Sequence, residues 1–191
     1  VELSGRGGAL AIGQVERRWG NALRLEAGVW AYTAAFDALG RFDPAGVPIR
    51  VHGNAGVYGL AEGRLLAGRG AQGGGLSGWV RIGSANGDIN RIASYLGAGL
   101  VYTGLVPGRD KDQAGLAIAR AAIGAPARRA ALIDGSELGD GETTLEATYR
   151  WVLTDWLSLQ PDLQYVVHPG GDPALGNALV VGLRLGFTRS R

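Results

Sequence analysis

"LEATYRWVLTDWLSLQPDLQYVV", residues 145–167, is two alternating runs meeting at Thr154 and Asp155, and its reading decides the fold. In the first run Leu145, Ala147, Tyr149, Trp151 and Leu153 share one side, while Thr144, Glu146, Thr148, Arg150 and Thr154 share the other. In the second, Leu157, Leu159, Pro161, Leu163, Tyr165 and Val167 oppose Ser158, Gln160, Asp162, Gln164, Val166 and His168. A period of two is the signature of a strand, because successive side chains of extended backbone point to opposite faces. A soluble antiparallel sheet can carry one greasy and one wet face, and so can a membrane barrel with lipid outside and water inside.

Working outward, nine segments read as strands: 9–18, 22–35, 54–67, 75–85, 89–105, 113–124, 143–154, 157–168 and 176–188. Most reach the 9–11 residues or so that a tilted strand needs to cross a bilayer, longer than the usual globular strand. The last places Leu179, Val181, Leu183, Leu185 and Phe187 opposite Val180, Gly182, Arg184 and Gly186. The second sets Leu23, Leu25, Ala27, Val29 and Ala31 against Arg24, Glu26, Gly28, Trp30 and Tyr32. The third and sixth are rich in glycine and alanine.

Composition agrees with strands. Glycine fills 34 of 191 positions, more than twice the usual share of about 7%. A helical protein would lose about 1 kcal/mol at each interior glycine relative to alanine, whereas turns and crowded barrel positions use it. With zero cysteines there is no disulfide framework and no thiolate metal site. A net charge of +2, and a basic tail at Arg189–Arg191 without interleaved aromatics, give no nucleic-acid footprint. All nineteen basic residues except Lys111 are arginine. The opening "VELSGRGGALAIG" lacks a basic start, an apolar segment and a cleavage site, and reads as the beginning of a mature or truncated chain.

If the last strand ends in the periplasm, the connectors "RRWGN", "GRGAQGGG", "VPGRDKD" and "TD" fall on that side, all short. The opposite set is "ALGRFDPAGVPIRVHG", "SANGD", "GAPARRAALIDGSELGDGE" and "PGGDPALG", which includes the two longest. Short periplasmic turns with longer outer loops is the arrangement of outer-membrane barrels. The fold class expected is therefore all-β, an antiparallel transmembrane β-barrel of the outer-membrane type, with about nine strands (eight to ten) in one segment over 1–191 and no internal domain boundary. Nine is odd where single-chain bacterial barrels are even. Either the chain begins inside a larger protein, or the first or third segment is misassigned and eight strands close.

Chemistry for catalysis is sparse. His52 and His168 are the two histidines, both in or beside expected loops, so neither a metal cluster nor a serine triad has its bases at hand. "GRGGALAIG" puts Leu10 where a dinucleotide fingerprint needs its third glycine. No enzyme, no catalytic residue, no cofactor and no metal is expected.

The stretches "YTGLVPGRDKDQAGLAIA" (102–119) and "LEATYRWVLTDWLSLQPDLQYVVHPGGDPALGNALVVGLRLGF" (145–187) resemble the C-terminal half of the carbohydrate-selective porin family, OprB type. "EATY", "PDLQYV", "HPGG" and "NALVVGLR" carry the likeness, in the family's order and spacing; before residue 54 it is diffuse. What the resemblance implies is a bacterial outer-membrane barrel of about sixteen strands, through which sugars such as glucose diffuse passively. Its partners would be small sugars and outer-membrane lipid, with a homotrimer compatible with the family and no nucleic acid.

A sugar path needs fork-like donors and aromatic ring faces. The wet faces offer Arg24, Glu26, Trp30, Tyr32, Arg81, Glu146, Arg150, Gln160, Asp162, Gln164 and Arg184, with Trp79 beside them. These charges could instead pair across strands and satisfy one another. Trp151, Trp156 and Tyr165 read as anchors at the membrane boundary. Pro161 is expected near the periplasmic start of its strand, where a bulge or bend absorbs its missing donor. The alternative is a small packed outer-membrane barrel with a structural or interaction role; a soluble all-β domain would require the Leu179–Phe187 face to be covered by protein.

Overall fold

The computed structural model describes residues 8–20, 22–68 and 74–188; the basic tail at 189–191, most of the "GRGAQGGG" connector and the first seven residues lie outside them. Nine strands follow one another: β1 (Leu10–Trp19), β2 (Leu23–Phe42), β3 (Pro48–Ala67), β4 (Gly75–Ala85), β5 (Ile92–Thr103), β6 (Gln113–Ile123), β7 (Gly141–Val152), β8 (Leu157–Val167) and β9 (Ala178–Phe187). Between β6 and β7 lies one helix, α1 (Ala125–Ile133). Every strand pairs antiparallel with its sequence neighbour in a single sheet ordered β1 to β9. Among the described residues β1 and β9 are both edges and do not pair, so neither eight nor nine strands close here.

The sheet has no hydrophobic core in the globular sense. Among the described residues the buried apolar side chains are Ala38, Ile123, Ala127 and Ala131, all near one end. Most of the strands' large apolar side chains line one face and stay exposed, Val181 to 76% and Leu183 to 67%, while Leu10, Ile12 and Val180 fall on the other. In water, so large a contiguous apolar surface drives association; in a bilayer it is the face a barrel needs. Among the described residues nothing covers the Leu179–Phe187 face, where a soluble domain requires a cover. Trp151 and Trp156 stand exposed near the Phe187 end, Tyr165 near the other, and Trp156 stacks on Phe187 with centroids 6.3 Å apart.

Two expectations differ from the structure. The connector "ALGRFDPAGVPIRVHG" is mostly strand: β2 and β3 each run 20 residues and meet in a tight turn. The Asp43 carboxylate accepts the Ala45 and Val47 amides at 2.8 and 2.9 Å, and Gly46 takes φ +81°. Register shifts between Tyr32 and Ala35 and between Asp37 and Phe42 mark where this hairpin leaves the regular wall. It is braced there by α1, whose buried Ala127 and Ala131 face β2, and by the Leu39 amide bonding to the Asp88 carbonyl at 2.8 Å. Gly40, at φ +62°, makes the close contact possible, because a Cβ there would come 3.0 Å from the Ala130 nitrogen.

Pro161 sits fifth in β8 with no bulge beside it. The register on either side of it is continuous, Thr148 with Asp162 and Trp151 with Leu159, and the ladder omits the pairs between. The Pro161 carbonyl is satisfied there by a side chain: the Thr148 hydroxyl donates to it at 2.9 Å and accepts from Gln160 Nε2 at 3.0 Å.

Candidate functional site: the polar face of the sheet

Directly opposed residues of antiparallel strands point to the same face, so register assigns faces without ambiguity. Arg24 opposes Arg18 and Glu62, Glu62 opposes Trp79, and Trp79 opposes Gly99. Farther along, Glu146 opposes Gln164, Thr148 opposes Asp162, and Gln160 opposes Arg184. Followed strand to strand, the register gathers Arg24, Glu26, Trp30, Tyr32, Arg81, Glu146, Arg150, Gln160, Asp162, Gln164 and Arg184 on one face, with Trp79.

The face carries two kinds of order. The first is ionic. Arg24 donates to Glu16 at 2.8 Å, to Glu62 at 2.9 Å and to Glu26 at 2.6 Å, joining β1, β2 and β3. Cross-strand pairing therefore consumes Arg24 and Glu26, as the self-satisfying reading anticipates. Arg81, by contrast, enters no ion pair among the described residues; its guanidinium lies 5.1 Å from the Trp79 ring centroid.

The second kind is aromatic. Trp30 opposes Gly56, Tyr58 opposes Gly28, and Trp79 opposes Gly99. Each ring lies where its partner's Cβ would be: a methyl at Gly56 or Gly99 would sit 2.6 Å from the indole, and one at Gly28 would strike the Tyr58 ring. Glycine on the facing strand is what lets these rings lie flat against the wall instead of projecting from it. The Tyr58 hydroxyl donates to Gln14 at 2.6 Å, fixing its ring.

β7 and β8 supply the amide and carboxylate part. Gln164 Nε2 reaches Asp162 at 3.2 Å beside Glu146, and Gln160 is held by Thr148. Tyr58, Tyr95, Glu62, Glu16 and Gln14 belong to the face and were not singled out from sequence. Parity would have found Tyr58 and Glu62 in the third segment, where Ala55, Val57, Ala61 and Leu65 mark the opposite face.

A separate knot ties the turn between β5 and β6 to the outer wall. Asp112, 2% exposed, accepts from Arg109 at 2.7 Å, the Tyr149 hydroxyl at 2.9 Å and the Val152 amide at 2.9 Å. Burial pushes its carboxyl up, but these donors outweigh it and hold the group below the usual carboxylate range.

The model of the family "Carbohydrate-selective porin, OprB family" matches residues 2–188. Porin B of Pseudomonas aeruginosa is 33% identical over an alignment covering 50% of this chain and 24% of that protein. The high-pH structure of Pseudomonas putida OprB superposes with a TM-score of 0.85 at 25% identity, covering 97% of this chain and 50% of that one. Its low-pH structure, at 22% identity and a TM-score of 0.55, covers 92% and 54% and speaks to the fold alone. The chain thus spans about half the length of the solved chains it matches.

Proposed function

The chain belongs to the carbohydrate-selective porin, OprB family, and from that premise we propose that it forms part of the wall of a channel through which small sugars diffuse passively. Its place is the bacterial outer membrane, where the apolar face of β1–β9 meets lipid and the polar face lines water. One observation carries the reading: Arg24, Arg81, Arg150 and Arg184, the glutamines and carboxylates of β7 and β8, and the flat rings of Trp30, Tyr58 and Trp79 share the face opposite most of the exposed leucines and valines. Diffusion needs weak contacts at several places, and a wall that offers them in succession suits it.

Glucose-like sugars are the solute class the reading names. The free edges at β1 and β9 run in the same direction, so an even-numbered antiparallel barrel needs an odd number of further strands to join them, in keeping with the barrel of about sixteen strands that the resemblance implies. The test is swelling of proteoliposomes carrying the full-length protein on a glucose gradient, beside a larger oligosaccharide. Entry of glucose ahead of the oligosaccharide is expected; folded barrels that admit no sugar would overturn the proposal.

A further inference from the structure

Among the described residues the regular wall turns two arginines outward, into the rows of exposed leucines and valines: Arg17 opposes Leu25, and Arg120 opposes Leu96. They differ in what neutralises them. Arg120 carries its own counterion, donating to Asp140 at 2.8 Å and to the Thr143 hydroxyl at 3.0 Å. Arg17 enters no ion pair among the described residues, because the carboxylates near it point inward, where Arg18 and Arg24 bond Glu16 and Arg24 also bonds Glu26. Its guanidinium lies instead 5.2 Å from the ring centroid of Trp19, the last residue of β1. Arg17 is eighth of the ten residues Leu10–Trp19. At a rise of about 3.4 Å per residue and a tilt of about 40°, it lies about 5 Å inside the strand's end along the membrane normal. From that depth a long cationic side chain reaches the membrane boundary while its stem stays among lipid chains.

Beside Arg17 the outward face is hollow. A trough of about 590 Å³ is bounded by Arg17 and Trp19 on β1 and by Val80 and Ile82 on β4, and Gly59 and Ala61 on β3 keep its floor low. An apolar trough with a cation at its rim complements a phospholipid, whose chain covers the trough and whose phosphate accepts the forked donors of the guanidinium. A second copy of the chain offers no such match. Among the described residues the outward rows of β1–β9 hold no aspartate or glutamate, so a copy meeting this face through its own brings Arg17 no counterion.

We propose that Arg17, Trp19 and the trough beside them form a phospholipid site at the membrane boundary nearer Phe187, with the lipid phosphate on Arg17 and one acyl chain over Gly59 and Ala61. The proposal goes beyond the sugar-channel reading and requires only that the outward face meet lipid.

The test is native mass spectrometry of the full-length protein in detergent with phosphatidylglycerol added. Wild type is expected to retain the lipid, and Arg17→Gln to lower the retained fraction about 5-fold. Ala61→Phe, which fills the trough and leaves the cation, should lower it as much. Where Ala61→Phe does not fold, Gly59→Leu fills the same floor, since a Cβ there meets only ordinary contacts. Arg120→Gln should match wild type. Diacylglycerol with the same chains, and glycerol phosphate with none, should each be retained at least about 5-fold less than phosphatidylglycerol. Retention within twofold of wild type in Arg17→Gln or in the trough-filling variant, or diacylglycerol held as well as phosphatidylglycerol, would overturn the site. Lipid-free multimers of wild type that the trough-filling variant dissociates would overturn it too, in favour of a second copy. Each variant should still admit glucose in the swelling assay, so failure of the lipid site leaves the channel standing, and the channel falls only if wild type admits no sugar.

Discussion

An arginine placed at Val181 or at Val180 meets two different solvents. Both are adjacent in β9; Val181 points outward at 76% exposure, and Val180 shares the polar face with Gln164 opposite. Val181 is fourth of the ten residues Ala178–Phe187. At a rise of about 3.4 Å per residue and a tilt of about 40°, it lies about 4 Å from the strand's midpoint along the membrane normal. Arginine on the lipid face at that depth costs about 2–4 kcal/mol, a factor of about 30–1,000 in the folding equilibrium. Val180→Arg instead reaches water and should stay within about 0.5 kcal/mol of wild type. Urea titration of the full-length protein in phospholipid vesicles, followed by tryptophan emission, measures both. Equal costs for the two variants would refute the assignment of faces, because a soluble sheet or an aqueous outer face gives no reason for neighbouring residues to differ.

Asp112→Asn should destabilise the barrel by about 1–3 kcal/mol near neutral pH, since one oxygen of a buried, multiply bonded carboxylate loses its acceptor role. Its folded-state pKa is depressed, so the stabilisation is present above the ordinary carboxylate range and is lost as pH falls through the folded value; wild type and variant should converge in strong acid, as read by the same titration. Thr148→Val removes the donor to the Pro161 carbonyl and should cost about 1 kcal/mol, where a bulge-absorbed proline would predict no dependence on Thr148. Gly40→Ala combines a left-handed φ with a Cβ against Ala130 and should loosen α1 from β2, seen as faster proteolysis within Ala125–Ile133 while the barrel's urea midpoint moves little.

Where alternation was clean, the sequence was enough. Strands β4 and β6 to β9 begin and end within two residues of the expected bounds, because lipid on one side and water on the other impose a period of two on every residue. The hairpin beyond Ala35 reads as loop because Gly40, Pro44, Gly46, Pro48 and Gly53 interrupt the pattern, and the register shifts there break its parity. Helix α1 is illegible in the sequence for a different reason: nine residues that open on Ala125 and Pro126 and hold the adjacent Arg128 and Arg129 carry almost no periodic signal, and burial against β2 is a tertiary fact. At the candidate site, parity alone placed the charged residues on one face. It could not show that Arg24 is consumed by three carboxylates while Arg81 is not, because that depends on which strands are neighbours. Nor could it pair Trp79 with Gly99, which lie on different strands and meet only through register.

The chain has no cysteine, so single cysteines placed along β9 of the full-length protein in vesicles report the solvent at each position. A water-soluble maleimide should label Val180→Cys, Gly182→Cys and Arg184→Cys, and should spare Val181→Cys, Leu183→Cys and Leu185→Cys. Labelling without alternation would contradict a wall with lipid on one side and a watery path on the other.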